Sequence, residues 1–455
     1  MNARVVVRAD GDETVLLPAN GPPVVVLDWV SRRRNVELDL HRLSTRLPQP
    51  LSDSAQDLLE VTAALVMGDH LVPRGANEQW VRSLTFAIPV RLPGTWEAAA
   101  PALTSLFHLM TGDNIRLEFR PRACARVTRT SQAGLRSAAD CVSLLSGGID
   151  SFAGAVASLE EGRRPLFVMH RSSNATTLEA QRRVVGSLRS HYGAAFEVIG
   201  VSLGVSRVRE PEFVLPSRSD REPSRRARSL WYLALAAGVA WSAGIEEIVV
   251  PENGIMALHV PMGPSRVGGL STRTTHPEVL ACFASVASEI LDHRLGIGNP
   301  LLGHTKAEVV RDILRWRVSE AEIRRTESCW QAGRHPRPCG GCVPCLQRQL
   351  ALATAGVGPE AQQMELLGNP ESHRGTDGFR NLADLLGMVA EFSRLPDDRL
   401  LTRHPALGQA GLPPAAAIGL YRRFAAEVVE LGHTRYPALG RMLGTGQMAE
   451  GRGGR

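Results

Sequence analysis

Lysine is almost missing from this 455-residue chain: Lys and Arg together number 52, and only Lys306 is lysine. An Ala-, Gly- and Arg-rich composition points to a coding bias that favours Arg. A single surviving Lys then marks either chance or a place where a compact ammonium is needed and a planar guanidinium cannot replace it. Long apolar runs are missing too. None approaches the ~20 residues of a membrane-spanning helix, which argues against a membrane protein. No apolar leader core follows Met1-Asn2-Ala3-Arg4, so the cytoplasm is the expected location. Strong charge of one sign is absent. A net charge of +6 permits nucleic-acid contact without demanding it. Cysteines are few, and their number, seven, is odd, which does not suit a disulfide framework. Cys124, Cys141 and Cys282 stand apart and are expected as small buried apolar side chains. The other four lie together between Cys329 and Cys345.

The chain divides into three expected parts: 1–137, 138–356 and 357–455. The first reads as α+β. Strands are expected near 5–7, 23–27, 36–40, 84–88 and 115–119, and helices over about 53–67 and 98–110, the first announced by Ser52-Asp53. No catalytic constellation is visible there. From about 138 strand and helix alternate: strands at 141–145, 166–169, 196–201 and 248–250, helices over about 151–161, 178–192 and 231–243. Alternation of this kind predicts an α/β fold with a doubly wound parallel sheet. Beyond 357 the periodicity is helical, over 381–392 and 414–431, and the tail Gly451 to Arg455 is expected to be disordered.

The central motif is Ser146-Gly147-Gly148-Ile149-Asp150-Ser151, directly between a strand and a helix. Glycines let the backbone approach an anion, and the following helix presents free N–H groups and a positive dipole end. Ser146 and Ser151 add hydroxyl donors. Asp150 suits a magnesium ion bridging phosphates better than phosphate itself. Neither GxxxxGK[ST] nor GxGxxG is present. The alternative to a nucleotide site is a turn whose Ser and Gly merely cap a helix.

Cys329, Cys339, Cys342 and Cys345 form C-x9-C-x2-C-x2-C, with Gly340, Gly341 and Pro344 between them favouring tight turns. Four thiolates suit tetrahedral zinc. An iron–sulfur cluster and a free redox dithiol are the rival readings.

Taken together these segments resemble the QueC family of 7-cyano-7-deazaguanine synthases, which belong to the PP-loop ATP pyrophosphatases with their SGGxDS signature. Four elements carry the resemblance in order: Ser146 to Ser151; Arg225 to Ala237; Asn299-Pro300-Leu301 through Thr305-Lys306-Ala307-Glu308; and Ser328-Cys329-Trp330-Gln331 with Cys339 to Cys345 and Arg348. The resemblance implies an ATP pyrophosphatase fold and a reaction in which ATP adenylates a 7-deazaguanine carboxylate and a nitrogen nucleophile displaces AMP. It implies that Lys306 contacts phosphate, so that Asp150 and Lys306 are the expected catalytic pair. Nucleotide contacts are expected from Ser146, Gly147, Gly148, Ile149, Asp150, Ser151 and Lys306, with ATP, Mg2+ and Zn2+ as cofactors.

The chain departs from the family in two ways. Long segments flank the matched part, and Asn253-Gly254-Ile255-Met256 is only loosely similar to the family's version. Extended QueC-like proteins are associated with bacterial anti-phage systems, including the QatC component of the Qat system. That similarity implies a protein acceptor or defence partner alongside the deazaguanine, with a homodimer as a further expectation. The alternatives are ordinary queuosine biosynthesis, tRNA sulfur transfer, for which tRNA would be a partner, and a non-catalytic nucleotide-binding scaffold. The arginines between Arg218 and Arg228 fit either a phosphate-binding gate or a solvated loop, and His276 either a substrate contact or a helix start.

Overall fold

The structure is a computed structural model. It describes residues 2–8, 22–74, 81–122, 138–262, 273–316, 318–409 and 411–445. Cys124 and the tail Gly451 to Arg455 lie outside the described residues.

Strands β1 (Asn2–Val7), β2 (Val24–Leu27) and β3 (Val36–Leu38) are followed by helices α1 (Leu40–Ser44) and α2 (Asp53–Leu71), then β4 (Ser83–Val90), α3 (Pro93–Thr111) and β5 (Asn114–Pro121). The Ser52 side chain accepts from the Ala55 N–H, so the expected start signal of α2 is a working N-cap. Four of these strands form one sheet, in the order β2-β1-β4-β5, and every pairing in it is parallel. Parallel neighbours cannot be joined by hairpins. Among the described residues α1 and α2 lie on the way from β2 to β4, and α3 joins β4 to β5, so this region too is built of α/β layers.

The second sheet is formed by β6 (Cys141–Leu144), β7 (Pro165–His170), β8 (Glu197–Val201), β10 (Glu247–Val249) and β11 (Gly296–Gly298). Its order is β11-β10-β6-β7-β8, again all parallel. The chain winds outward from β6 to β8, then returns to the other side of β6, which is the doubly wound topology expected. Its helices are α4 (Ile149–Glu160), α5 (Ala175–Tyr192), α6 (Arg228–Ala243), α7 (Gly254–Leu258), α8 (Pro277–Leu291), α9 (Lys306–Arg315), α10 (Glu320–Arg324) and α11 (Val343–Thr354). A short strand β9 (Leu203–Val205) pairs antiparallel with β3 and ties the two sheets' regions together. Helices α12 (Asp377–Arg394), α13 (Asp397–Arg403), α14 (Pro414–Thr434) and α15 (Pro437–Thr445) complete the chain.

Apolar packing joins these parts. One core runs from the N-terminal sheet and α2 through α6 and α8 to β6 and β7, and includes Phe86, Trp96, Trp231 and Phe283. A second lies between α4, α5 and α9. A third unites α12 and α14 with α7 and α11. Cys141 is buried as expected, whereas Cys282 is exposed, because it lies on the face of α8 opposite Leu280, Phe283 and Ala287. Among the described residues no helix is long and apolar enough to cross a membrane.

Candidate active site

At the C-terminal end of β6 the chain turns through Ser146 to Gly148 and enters α4, whose N-cap is Gly148. Gly147 has φ +87°, and an added Cβ there would lie 3.0 Å from the backbone nitrogen of Gln181 on α5. Only glycine meets both demands. Two hydroxyls brace the turn. Ser151 Oγ accepts from the Ser146 N–H at 3.1 Å and lies 2.9 Å from Ser146 Oγ, which accepts from the Gly148 N–H at 3.3 Å. The first N–H groups of α4, from Ile149 onward, have no intrahelical acceptor, so the turn offers a concave set of donors to an anion.

Asp150, in the first turn of α4, is buried. Its Oδ2 accepts from Lys306 Nζ at 2.5 Å and from Asn253 Nδ2 at 3.1 Å. Its Oδ1 has no partner among the described residues although it is buried. Lys306 is the first residue of α9. Thr305 caps that helix in a reciprocal box with Glu308, and this fixes where the ammonium emerges. Asn253 caps α7 through its own side chain, which accepts from the Met256 N–H. The chain's one lysine therefore meets the one acidic residue of the turn, 156 positions away in sequence.

Glu252 joins them and was not singled out in the sequence. It lies three residues beyond the end of β10, and its backbone is held by Asn299, which donates to the Glu252 carbonyl at 2.8 Å and accepts from its N–H at 3.2 Å. Burial, reinforced by the negative charge of Asp150, pushes the Glu252 carboxyl up to about 8. The signal that could have found it is topological. In open α/β sheets ligands sit beyond the strand ends where the winding reverses, and β6 and β10 flank that point.

The four cysteines also converge. Their sulfurs lie within 4.8 Å of one another, and all four residues are buried. Cys339 Sγ and Cys345 Sγ are 3.9 Å apart, close to the ~3.8 Å edge of a tetrahedron with zinc–sulfur bonds of about 2.3 Å. Backbone N–H groups of Gln331, Cys339 and Cys342 point at Cys329 and Cys339 sulfurs from 3.3 to 3.4 Å. Such donors favour thiolates, and the cluster could hold a metal such as zinc. Arg348 of α11 ties this module to the preceding segment through Thr326 and the Ile323 carbonyl, and is itself held by Glu360 beyond the helix. The segment reaches back to the turn, where the Glu327 N–H donates to the Gly147 carbonyl at 3.0 Å.

Two other candidates resolve as structure. His276 caps α8, its Nδ1 accepting from the Glu278 N–H. Arg226 is buried and donates to the Thr111 carbonyl, while Arg221 donates to that of Pro216. Of that arginine group, Arg228 at the start of α6 is the one whose charge reaches Glu252.

The profile of the family described as "Queuosine biosynthesis protein QueC" matches residues 140–356. The 7-cyano-7-deazaguanine synthase of Azotobacter vinelandii is 30% identical over 226 residues, covering 48% of this chain and 94% of that protein. The chain belongs to the QueC family. The Myxococcus xanthus synthase is 27% identical over 235 residues, covering 48% of this chain and 94% of its own length, and that of Frankia casuarinae 26% over 249 residues, covering 50% and 96%. The turn, Glu252, Asn253, Lys306 and the four cysteines all lie inside the QueC-matched span. Residues 1–139 and 357–455 flank it.

Proposed function

We propose that this chain uses ATP to adenylate a carboxylate, that of 7-carboxy-7-deazaguanine, for attack by a nitrogen nucleophile. The observation that carries the reading is the Asp150–Lys306 pair, with Glu252 beside it, at the mouth of a donor-lined turn. A carboxylate oxygen of the substrate attacks the α-phosphorus of ATP and pyrophosphate leaves with the bonding pair. The nucleophile's nitrogen then attacks the acyl carbon, loses a proton, and expels AMP. A nitrile requires a second ATP to activate the amide oxygen, which departs as AMP. The turn's N–H groups and Lys306 face the charge that develops on pyrophosphate.

Mg2+ fits this donor set. Asp150 Oδ1 is an unpaired carboxylate oxygen, Glu252 stands next to it, and hard oxygens plus substrate phosphates are what Mg2+ takes. Asp150 and Glu252 would hold the ion, which supplies charge neutralisation at the phosphates. Zinc at the four cysteines has a structural part, supporting the segment behind the turn.

The relatives' name favours ammonia as the nucleophile. The 139 residues before the matched span and the 99 after it favour a second reading, a role similar to that of extended QueC-like proteins in anti-phage defence, with an amine of a partner protein as acceptor. Purified protein with ATP, Mg2+ and 7-carboxy-7-deazaguanine, with and without ammonia, is the test, followed by mass spectrometry. Substrate-dependent AMP and pyrophosphate are expected. Free nitrile made efficiently without labelling of any candidate partner sinks the conjugation reading. Iron in the cysteine site together with co-purified tRNA sinks the deazaguanine reading in favour of sulfur transfer.

A further inference from the structure

Helix α14 lies outside the span shared with the QueC relatives, yet it touches both segments that bring partners to Asp150. Its residues 420, 421, 423, 424 and 427 share one face, at helical spacings of three and four. Toward α9, Glu427 Oε1 accepts from Thr305 Oγ1 at 2.9 Å and from Arg311 Nη2 at 2.9 Å. Arg423 donates to Glu308 Oε1 at 2.8 Å and to the Gly303 carbonyl at 2.6 Å. Toward α7, the Tyr421 hydroxyl accepts from the Val260 N–H at 3.2 Å and donates to the Ile255 carbonyl at 3.3 Å. Gly254 lets this helix come close: an added Cβ would lie 2.4 Å from Leu420 Cδ2 and 2.0 Å from the Leu302 carbonyl oxygen. The two segments are themselves linked, the Gly254 N–H donating to the His304 carbonyl at 2.9 Å.

The Thr305 hydroxyl explains why these contacts matter. It has one proton and must also accept from the Glu308 N–H to cap α9. Glu427 takes the proton, which leaves a lone pair aimed at the cap. The cap sets the first turn of α9, and Lys306 is its first residue. Tyr421 holds α7 by its first turn, at the Ile255 carbonyl, and just past its end, at the Val260 N–H, and so fixes the helix whose N-cap Asn253 donates to Asp150. Both partners of the Asp150 carboxylate are thus held from α14.

We infer that α14 is a working wall of this active site, with Glu427 and Tyr421 as positioning residues that fix Lys306 and Asn253 against Asp150. The inference rests on the adenylation reading for its kinetic consequence. It is tested in the full-length protein with E427A, E427Q, Y421F and, as a control on the same helix, R422A, which breaks only the exposed contacts with Asp397 and the Leu395 carbonyl, away from α7 and α9. Three readouts are used: substrate-dependent AMP release with kcat and KM for ATP, affinity for Mg2+ and α,β-methylene-ATP, and the melting temperature. E427A is expected to lower kcat about tenfold through loss of alignment, to weaken α,β-methylene-ATP severalfold, and to be largely rescued in E427Q, whose amide oxygen still accepts from Thr305. Y421F has a smaller effect in the same direction, and R422A none. A loss of melting temperature with unchanged kcat, KM and α,β-methylene-ATP affinity overturns the inference. So does an R422A effect as large as that of E427A. If the wild-type protein releases no AMP, the adenylation reading fails, and the α,β-methylene-ATP affinities still decide the positioning.

Discussion

Beyond β4 and β5 of the N-terminal sheet stand Arg91 and Arg122. Beyond β6 and β10 of the second sheet stand the Ser146–Ser151 turn and Glu252. Both places are the carboxyl edge of a parallel sheet, where open α/β folds put their ligands, and both gather buried charge. In the N-terminal sheet the charge is closed. Asp57 receives Arg91 Nη1 at 2.6 Å on one oxygen and the Arg91 N–H at 2.7 Å on the other, and Glu60 receives Arg91 on both oxygens and Arg122 on one. At the opposite edge Asp69 and Asp113 are equally saturated by Arg82, Arg74 and the Ala227 N–H. Against its burial, the Arg82 and Arg74 guanidinium groups hold Asp113 below the usual carboxylate range, whereas at Asp57 and Glu60 burial outweighs the arginines and raises both. What separates this sheet from the second is that each oxygen of these four carboxylates is taken. In the second sheet the charge is open: among the described residues the Lys306 ammonium bonds Asp150 alone, Asp150 Oδ1 has no hydrogen-bond partner, and the neighbouring Glu252 is pushed up to about 8. Closed charge fixes a fold, and open charge is where an ion or substrate completes the site.

The sharpest way to break this comparison is to substitute on the open side. Lys306→Arg keeps the charge, and arginine serves elsewhere throughout the chain. Its planar fork cannot replace a small ammonium 2.5 Å from a buried carboxylate. Substrate-dependent AMP release should fall about 10³-fold, with the melting temperature nearly unchanged. A variant that keeps wild-type kcat would show that the pair is as structural as the arginine networks.

On the closed side the outcome should invert. Arg91→Met leaves Asp57 without its guanidinium and Glu60 with Arg122 alone. Removing one partner of a buried ion network costs about 3–5 kcal/mol, measured by denaturant unfolding, while kcat per folded molecule stays constant. If R91M instead cuts AMP release without loss of stability, the N-terminal edge is a second functional site and the contrast fails.

How far each side could be read in sequence follows from the range of its contacts. Every expected strand and helix of the first two regions is present, because apolar periodicity and caps such as Ser52 are local signals. The turn was legible for the same reason, being one continuous hexapeptide. Three of the four cysteines fall within seven residues. Lys306 is marked twice, by having no rival and by its place in the family-like segment Asn299 to Glu308. Glu252 has no local signal, and Asn253 is marked only as part of a loosely family-like segment, without its role, since what brings Asn253 within 3.1 Å of Asp150 is the crossing of the chain to the other side of β6, at a separation of 103 residues. The same holds for β11, a three-residue strand of two glycines and an isoleucine that pairs only because β10 lies beside it. The part played by α14 was hidden for a different reason. Its contacts use Tyr, Arg and Glu, which on a helix ordinarily mark a half-solvated face.

The smallest expected effect concerns α8, which packs against α3 and α2 on one side and α6 and β11 on the other and so joins the two regions compared. His276 is buried, and its neutral Nδ1 caps this helix. Burial, with Arg273 nearby, lowers its pKa to about 4, whereas an unfolded histidine titrates near ~6.5. Between those values the unfolded chain takes up a proton that the folded one refuses. The cap's contribution is therefore intact above about pH 6.5 and is lost progressively as pH falls toward 4. His70 and His170 are lowered to about 4 as well and add to the same slope, so the wild-type curve alone cannot assign it. His276→Asn isolates the residue, because an asparagine oxygen caps a helix without titrating. Unfolding free energies of the two proteins should converge by about 1 kcal/mol or more as pH drops from 7 to 4.5, in favour of the asparagine variant. Parallel curves would mean that His276 takes up its proton while folded, and that the junction between the closed and the open sheet does not depend on this cap.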